Sequence, residues 1–270
     1  MFKTESESAM GRSSLKNVMR LLTADDKPVE QLFLRDLKRS IELTADKEGR
    51  KPSQTYKPSS MNCIRNMYYQ VMGVDQDAGE SSYISVGICN AGSDIHERIQ
   101  TAVTDMKNNG IDCEYIDVAE YVKSRGLDYL EIVAKQGMET KLYHKELNMS
   151  FLTDGIIRYK GKYYILELKT ETGRKFYQRT GVDEKHYNQG TAYSLAFGLD
   201  EVIFVYISRD ILDMKSYMFT VTDDMRQSLK DKIKECDEYV REKITPPKPN
   251  THGGKLCDYC AYQKTCEREG

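Results

Sequence analysis

At 270 residues, 39% of them hydrophobic and 18 of them glycine, the chain has the apolar content for a sizeable core in one large domain, or a domain with appendages. Its 40 Lys+Arg are balanced by 42 Asp+Glu for a net charge of −2, which excludes a basic coat over the whole surface and leaves any phosphate binding to a local patch. The longest purely apolar run in a strand-like segment, Val202 to Ile207, is far short of a membrane span, and the opening MFKTESESAMGRSS has no apolar stretch of signal-peptide type, so a soluble, intracellular protein without a membrane is expected.

Residues 12–45 read as two helices, with Leu15, Val18, Met19 and Leu22, then Leu32, Leu34, Leu37 and Ile41, at helical spacing and Asp-Asp-Lys-Pro between them. Residues 46–57 are polar, basic and turn-rich, as a linker would be. Pro58-Ser-Ser leads into a third, short helix through Tyr69 that carries Cys63 and Arg65. Ile88, Ile95, Ile99 and Val103 mark a longer helix from 84 to 107. After a mixed segment, 142–151, 153–159 and 163–170 have strand composition, with Lys160-Gly161 as a two-residue hairpin turn. A helix at 184–198, a buried strand at 201–208 and a further strand at 214–221 follow. The last amphipathic helix, 223–243, has Met225, Leu229, Ile233, Cys236 and Val240 on one stripe and stops at Pro246-Pro247. The expected organisation is a helical extension and linker at 1–57, an α/β core at 58–245 and a Cys-rich tail at 246–270.

The hairpin turn sets a register. If Tyr159 opposes Lys162, Asp154 falls across from Glu167 on one face of the sheet, and Lys169 points the same way two residues on. Facing carboxylates repel, so the pair asks for a cation. A hard divalent ion, Mg²⁺ or Mn²⁺, suits oxygen ligands and substrate phosphate, and Lys169 beside it would orient or help deprotonate a water. A surface Asp–Glu–Lys cluster joined by a salt bridge is the competing account, and a one-residue slip would turn Asp154 to the other face.

His96, in GSDIHERIQ, forms a stripe with Gly92 and Gln100 and is a candidate to complete the metal shell. Glu146, placed on the strand preceding Asp154, is a candidate for a further carboxylate. Gln189 and Tyr193 are one helical turn apart and share a face with His186. Gln suits a phosphate or the attacking water, and Tyr a hydrogen bond or a stacked base. Arg174, Lys175, Arg179 and Lys185 just before them form a local basic run, a candidate phosphate contact or simply a solvated loop.

Seven cysteines in a chain without a secretory signal suit burial, ligation or reactivity better than disulfides. Cys257, Cys260 and Cys266 supply three thiolates in a short stretch, and Cys63 is the choice for a fourth. Four thiolates fit a [4Fe–4S] cluster or a structural Zn²⁺; with only one CxxC, iron–sulfur is favoured, and His252 as a zinc ligand is the competing account. Either metal would staple the tail back to residue 63.

Together these residues resemble the RecB-like branch of the PD-(D/E)XK nuclease superfamily, and within it the iron–sulfur members: the CRISPR-associated exonucleases and the nuclease domain of AddB. The resemblance covers residues 58–270, in the family's order, through GSDIHERIQ, FLTDGII, ILELKTE, QGTAY, and Cys63 with CDYCAYQKTC. It implies a restriction-endonuclease-like core, a mixed sheet flanked by helices, with a helical N-terminal region and a C-terminal iron–sulfur lobe. It implies metal binding by His96, Asp154, Glu167 and the Leu168 carbonyl, with Lys169 serving the nucleophilic water. Gln189 and Tyr193 would belong to the QxxxY motif, and Cys63, Cys257, Cys260 and Cys266 would hold a [4Fe–4S] cluster. The activity implied is a DNA exonuclease in a prokaryotic or phage-infected cell. It would act on single-stranded or end-frayed DNA in recombination, repair or processing, with a possible helicase, recombinase or integrase-type partner. The alternative, from another class, is a non-catalytic iron–sulfur DNA-binding or assembly subunit.

Overall fold

The computed structural model describes residues 28–47, 52–77, 82–249, 254, 257–258 and 260–269. The first expected helix, around Leu15 to Leu22, and His252 lie outside the described residues. The chain divides into two compact units, Met1–Gly49 with Glu80–Gly87, and Arg50–Gly79 with Ile88–Gly270. In the smaller unit, helix α1 (Val29–Lys47) starts on the Pro28 carbonyl, which accepts from the Gln31 and Leu32 amides. Its Glu42 accepts the Tyr83 amide at 3.1 Å, and Lys38 Nζ stands 4.5 Å over the Tyr83 ring.

The larger unit holds the candidate site. A single 3₁₀ turn, Pro58–Ser60, precedes α2 (Ile64–Val71), so Cys63 is the extended residue before this helix and not within it. Helix α3 spans Tyr83–Asp105. Strand β1 (Cys113–Ile116) and helix α4 (Val118–Ser124) follow; α4 is capped by Asp117, whose carboxylate accepts from the Ala119 and Glu120 amides. The expected single strand at 142–151 is two strands. β2 (Leu130–Gln136), β3 (Glu139–His144) and β4 (Met149–Thr153) form an antiparallel three-stranded sheet, and Lys145–Asn148 reverses the chain with Asn148 at a φ of +44°. Polar residues ending in an asparagine able to enter the left-handed region make that turn.

The second sheet has five strands in the order β1-β5-β6-β7-β8, where β5 is Gly155–Tyr159, β6 Lys162–Glu171, β7 Glu201–Ser208 and β8 Met214–Thr220. β6 and β7 are parallel and the other neighbours antiparallel, so the expected α/β core with a mixed sheet flanked by helices is what forms. The β5–β6 turn has φ of +49° at Lys160 and +80° at Gly161, the sign pattern of a type I′ turn whose twist matches the strands. It fixes the expected register from Tyr159↔Lys162 to Gly155↔Leu166.

Side-chain alternation divides β6 between two cores. Ile165 faces the main core with Ala192, Tyr193 and Phe197 of α6 (Tyr187–Phe197) and Leu229 and Ile233 of α7 (Asp223–Glu242). Leu166 and Leu168 face a smaller core under Ile95, Ile99 and Val103 of α3. Between β6 and α6 run a short helix, α5 (Gly173–Gln178), and one 3₁₀ turn at Glu184–His186. The tail folds back on α2: the final helix α8 (Gln263–Arg268) is followed by Glu269, which accepts from Tyr69 Oη at 2.7 Å through its carboxylate and from buried Arg65 at 2.9 Å through its carbonyl. Among the described residues no helix is long and apolar enough to cross a membrane.

Candidate active site

Asp154 is the single residue between β4 of one sheet and β5 of the other. Register continues it opposite Glu167, but it leaves the ladder, and its carboxylate takes the place of a strand partner: Oδ2 accepts the Leu168 amide at 2.7 Å and Oδ1 lies 3.0 Å from His96 Nδ1. Its carbonyl accepts from Gln100 Nε2 at 2.7 Å and from the Tyr115 hydroxyl, also at 2.7 Å. The next residue is glycine for two reasons. Gly155 has a φ of +150°, which L side chains rarely adopt, and a Cβ there would meet the Tyr115 ring at 2.5 Å.

Glu167 points from β6 toward α6 and is only 3% exposed. Its Oε1 accepts from Lys169 Nζ at 2.6 Å and Gln189 Nε2 at 2.7 Å, while Oε2 is buried with no hydrogen-bond partner among the described residues. Gln189 also donates to the Tyr193 hydroxyl at 2.9 Å, which in turn donates to the Leu152 carbonyl at 3.0 Å. The helical spacing of Gln189 and Tyr193 thus becomes a relay of hydrogen bonds from the first sheet to Glu167.

The electrostatics follow from burial. Desolvation pushes the Glu167 carboxyl above the usual range; Lys169 and His96 work against that and Asp154 adds to it. Burial alone would lower His96, but its hydrogen bonds to Asp154 and Glu139 reverse this and raise it to about 9. Burial drives Tyr193 well up, with Glu167 adding to it, so its hydroxyl stays protonated.

Three potential ligand atoms converge within 4.8 Å of one another, from His96, Glu139 and Asp154. Glu167 is not among them, and neither is Glu146. It lies exposed in the Lys145–Asn148 turn, because the strand on which it was expected reverses there. Glu139 went unnoticed because the β2–β3 hairpin did; the signal was Gly137, at a φ of +59°, between two short strands. Leu168 contributes its amide to Asp154 and its side chain to the α3 core. Gly92 of α3 lies near β6, but a Cβ there would make only an ordinary contact, 3.4 Å from Thr170 Oγ1.

His186 does not join the carboxylates. Its Nδ1 lies 2.9 Å from the Tyr206 hydroxyl, its ring stacks on Phe204, and burial, with Lys169 and Lys185 nearby, lowers its pKa to about 3. The basic run is divided. Arg179 is gripped by Glu171 at 2.8 and 2.6 Å and lies 3.9 Å from the Tyr206 ring centre, whereas Arg174 and Lys175 are exposed and Lys185 Nζ is 3.8 Å from Asp183.

At the tail, Cys63, Cys257, Cys260 and Cys266 line one cavity together with Arg65, Asn66 and Tyr262. The thiols of Cys260 and Cys266 are raised first by burial and further by the other cysteines, and Asn66 Nδ2 donates to Cys260 Sγ at 3.5 Å.

No protein-family model matches the chain, and no curated protein matches it. Among solved structures, SSO0001 aligns with a TM-score of 0.44 at 17% identity, over 86% of this chain and 96% of that one. The alkaline exonuclease LHK-Exo from Laribacter hongkongensis aligns with a TM-score of 0.38 at 12% identity, over 72% of this chain and 91% of that one. The same exonuclease in complex with dAMP gives 0.38 and 12%, over 71% and 90%. Likeness at this level fixes neither fold nor chemistry, which rest on the strands and side chains described above.

Proposed function

We propose that this protein is a metal-dependent deoxyribonuclease that hydrolyses phosphodiester bonds as an exonuclease on single-stranded or end-frayed DNA. One observation carries the reading: Glu167 Oε2 is withdrawn from water, without a donor, beside Asp154 and Lys169. A buried carboxylate oxygen left unpaired in a native fold calls for an explanation, and a cation supplies one. The donor set of carboxylates, an imidazole and a backbone carbonyl is hard enough for Mg²⁺ or Mn²⁺.

His96, Asp154, Glu167 and the Leu168 carbonyl would hold the ion, which when bound supplies charge neutralisation at phosphate and acidity to water. The chain's own groups do the rest. The Leu168 amide holds the Asp154 carboxylate in place. Lys169, at 2.6 Å from Glu167, is positioned to bond a phosphate oxygen or the incoming water. Gln189 keeps Glu167 oriented, and Tyr193 keeps its proton and braces Gln189 from behind. Arg174, Lys175 and Lys185 are the cations left for the DNA backbone once Glu171 has taken Arg179.

The cavity shared by four cysteines supports a [4Fe–4S] cluster, with zinc as the alternative, that fastens the tail to α2. A helicase, recombinase or integrase-type protein is the proposed partner. The test is degradation of end-labelled DNA, with ends free or blocked, with and without Mg²⁺ or Mn²⁺. Metal-dependent loss of label from free ends is expected, with Glu167→Ala and Lys169→Ala slower by about a hundredfold or more. Variants as fast as the parent would overturn the site. DNA binding without cleavage under either ion would instead mark a non-catalytic subunit.

A further inference from the structure

We infer that Glu139, at the start of β3, is a further protein ligand of the divalent ion, alongside His96 and Asp154, and that Tyr115 is the residue that positions it. The inference rests on the metal-dependent reading above and deepens it. His96 Nδ1 is 3.0 Å from Asp154 Oδ1 and 3.9 Å from Glu139 Oε1, and one ligand atom from each of the three falls within 4.8 Å of the others. Adjacent ligands of an octahedral ion bound at about 2.1 Å stand about 3 Å apart, so the His96–Asp154 spacing already matches, and Glu139 has less than 1 Å to close toward His96. A separate observation points to a cation beside this trio: Glu167, 3% exposed, has an oxygen without a partner among the described residues and feels the charges of both Asp154 and His96.

Tyr115 accounts for Glu139 being here. Its hydroxyl lies 2.7 Å from the Asp154 carbonyl and 3.1 Å from the carbonyl of Met138, the residue just before Glu139. One phenol on β1 of the five-stranded sheet thus spans the hairpin of the three-stranded sheet and the backbone of Asp154. It reaches both because residue 155 has no side chain to block its ring. Glu139 itself is half-buried, leaving its carboxylate free to swing onto an ion.

Mn²⁺ binding to the full chain, followed by loss of the free-ion EPR signal, tests this. Glu139→Gln is expected to weaken binding about tenfold or more, and Tyr115→Phe, which removes only the hydroxyl, by a smaller factor. Glu139→Asp keeps the charge and is expected to recover part of the loss, while the exposed Glu146→Gln binds as the parent does. Parent-like Mn²⁺ affinity in Glu139→Gln would overturn the inference, as would a parent that takes up no Mn²⁺. A Glu139-dependent Mn²⁺ site on a chain that leaves DNA intact would keep the ligand and remove the nuclease.

Discussion

The Leu168 amide donates to Asp154 Oδ2 at 2.7 Å, so the side chain of Asp154 does for β6 what a strand's backbone would otherwise do. Structural and chemical roles therefore separate by substitution. Asp154→Asn keeps an oxygen for the Leu168 amide and, above pH 9 where the His96 charge no longer contributes, is expected to fold with near-parent stability while losing metal binding and cleavage. Asp154→Ala strands a buried N–H and is expected to cost about 1–3 kcal/mol in addition. Urea titrations beside cleavage assays distinguish the two.

The charges at His96 and Glu167 make metal-free stability depend on pH. His96 is raised from 6.5 to about 9 on folding, so its contribution is complete below pH 6.5 and is lost as pH climbs toward 9. At about 1.36 kcal/mol per pKa unit this amounts to roughly 3 kcal/mol. Glu167, also raised, acts in the same direction. Melts in chelator should fall in Tm from pH 6.5 to 9. Mn²⁺ must displace the His96 proton, so its stabilisation should be larger at pH 8.5 than at pH 6.

Among the described residues, Gln189 supplies one of the two hydrogen bonds that Glu167 receives from side chains. Gln189→Leu removes the donor while keeping bulk, and is expected to destabilise by about 1–3 kcal/mol and to slow cleavage. Tyr193→Phe, one step further out, is expected to be milder on both counts. Equal effects of the two variants would mean that the relay through Leu152, Tyr193 and Gln189 does not act through Glu167.

Gly155→Ala places a methyl group 2.5 Å from the Tyr115 ring at a φ of +150°. A cost of about 2 kcal/mol or more is expected in chemical denaturation. Combining it with Tyr115→Ala should relieve the clash but not the backbone strain, so the double variant should recover only part of the loss expected from summing the two.

For the tail, iron and acid-labile sulfide should be found in anaerobically purified protein, at about four of each per chain for a [4Fe–4S] cluster. Cys63→Ser should lower both and expose residues 244–249 to protease. Zinc without sulfide would replace the cluster by the simpler metal.

What could be read from the sequence was local. Lys160-Gly161 dictates a two-residue turn, the turn dictates the register, and alternation then places Glu167 and Lys169 on one face. Gln189 and Tyr193 meet because helical spacing makes them meet. What stayed hidden depended on distant pairing. β2 is mostly exposed and carries little apolar alternation, so only its bonds to β3 define it, and with the hairpin unseen Glu139 was unseen too. The reversal at Lys145–Asn148 turns on one asparagine's conformation, which cost Glu146 its expected place. Nor does spacing reveal that Glu171 holds Arg179, since a basic run looks the same whether its members are clasped or solvated.

The junction of the two sheets also dictates where the chain tolerates a change of length. The turn at 160–161 ends in solvent, and inserted residues there would bulge outward without disturbing what lies beneath. Between Thr153 and Gly155 there is no slack: one residue added or removed rotates every following side chain of β5 to the opposite face and carries the acid away from its histidine. Homologous chains of different lengths should therefore share an invariant count across this step while the loop at 160–161 drifts freely.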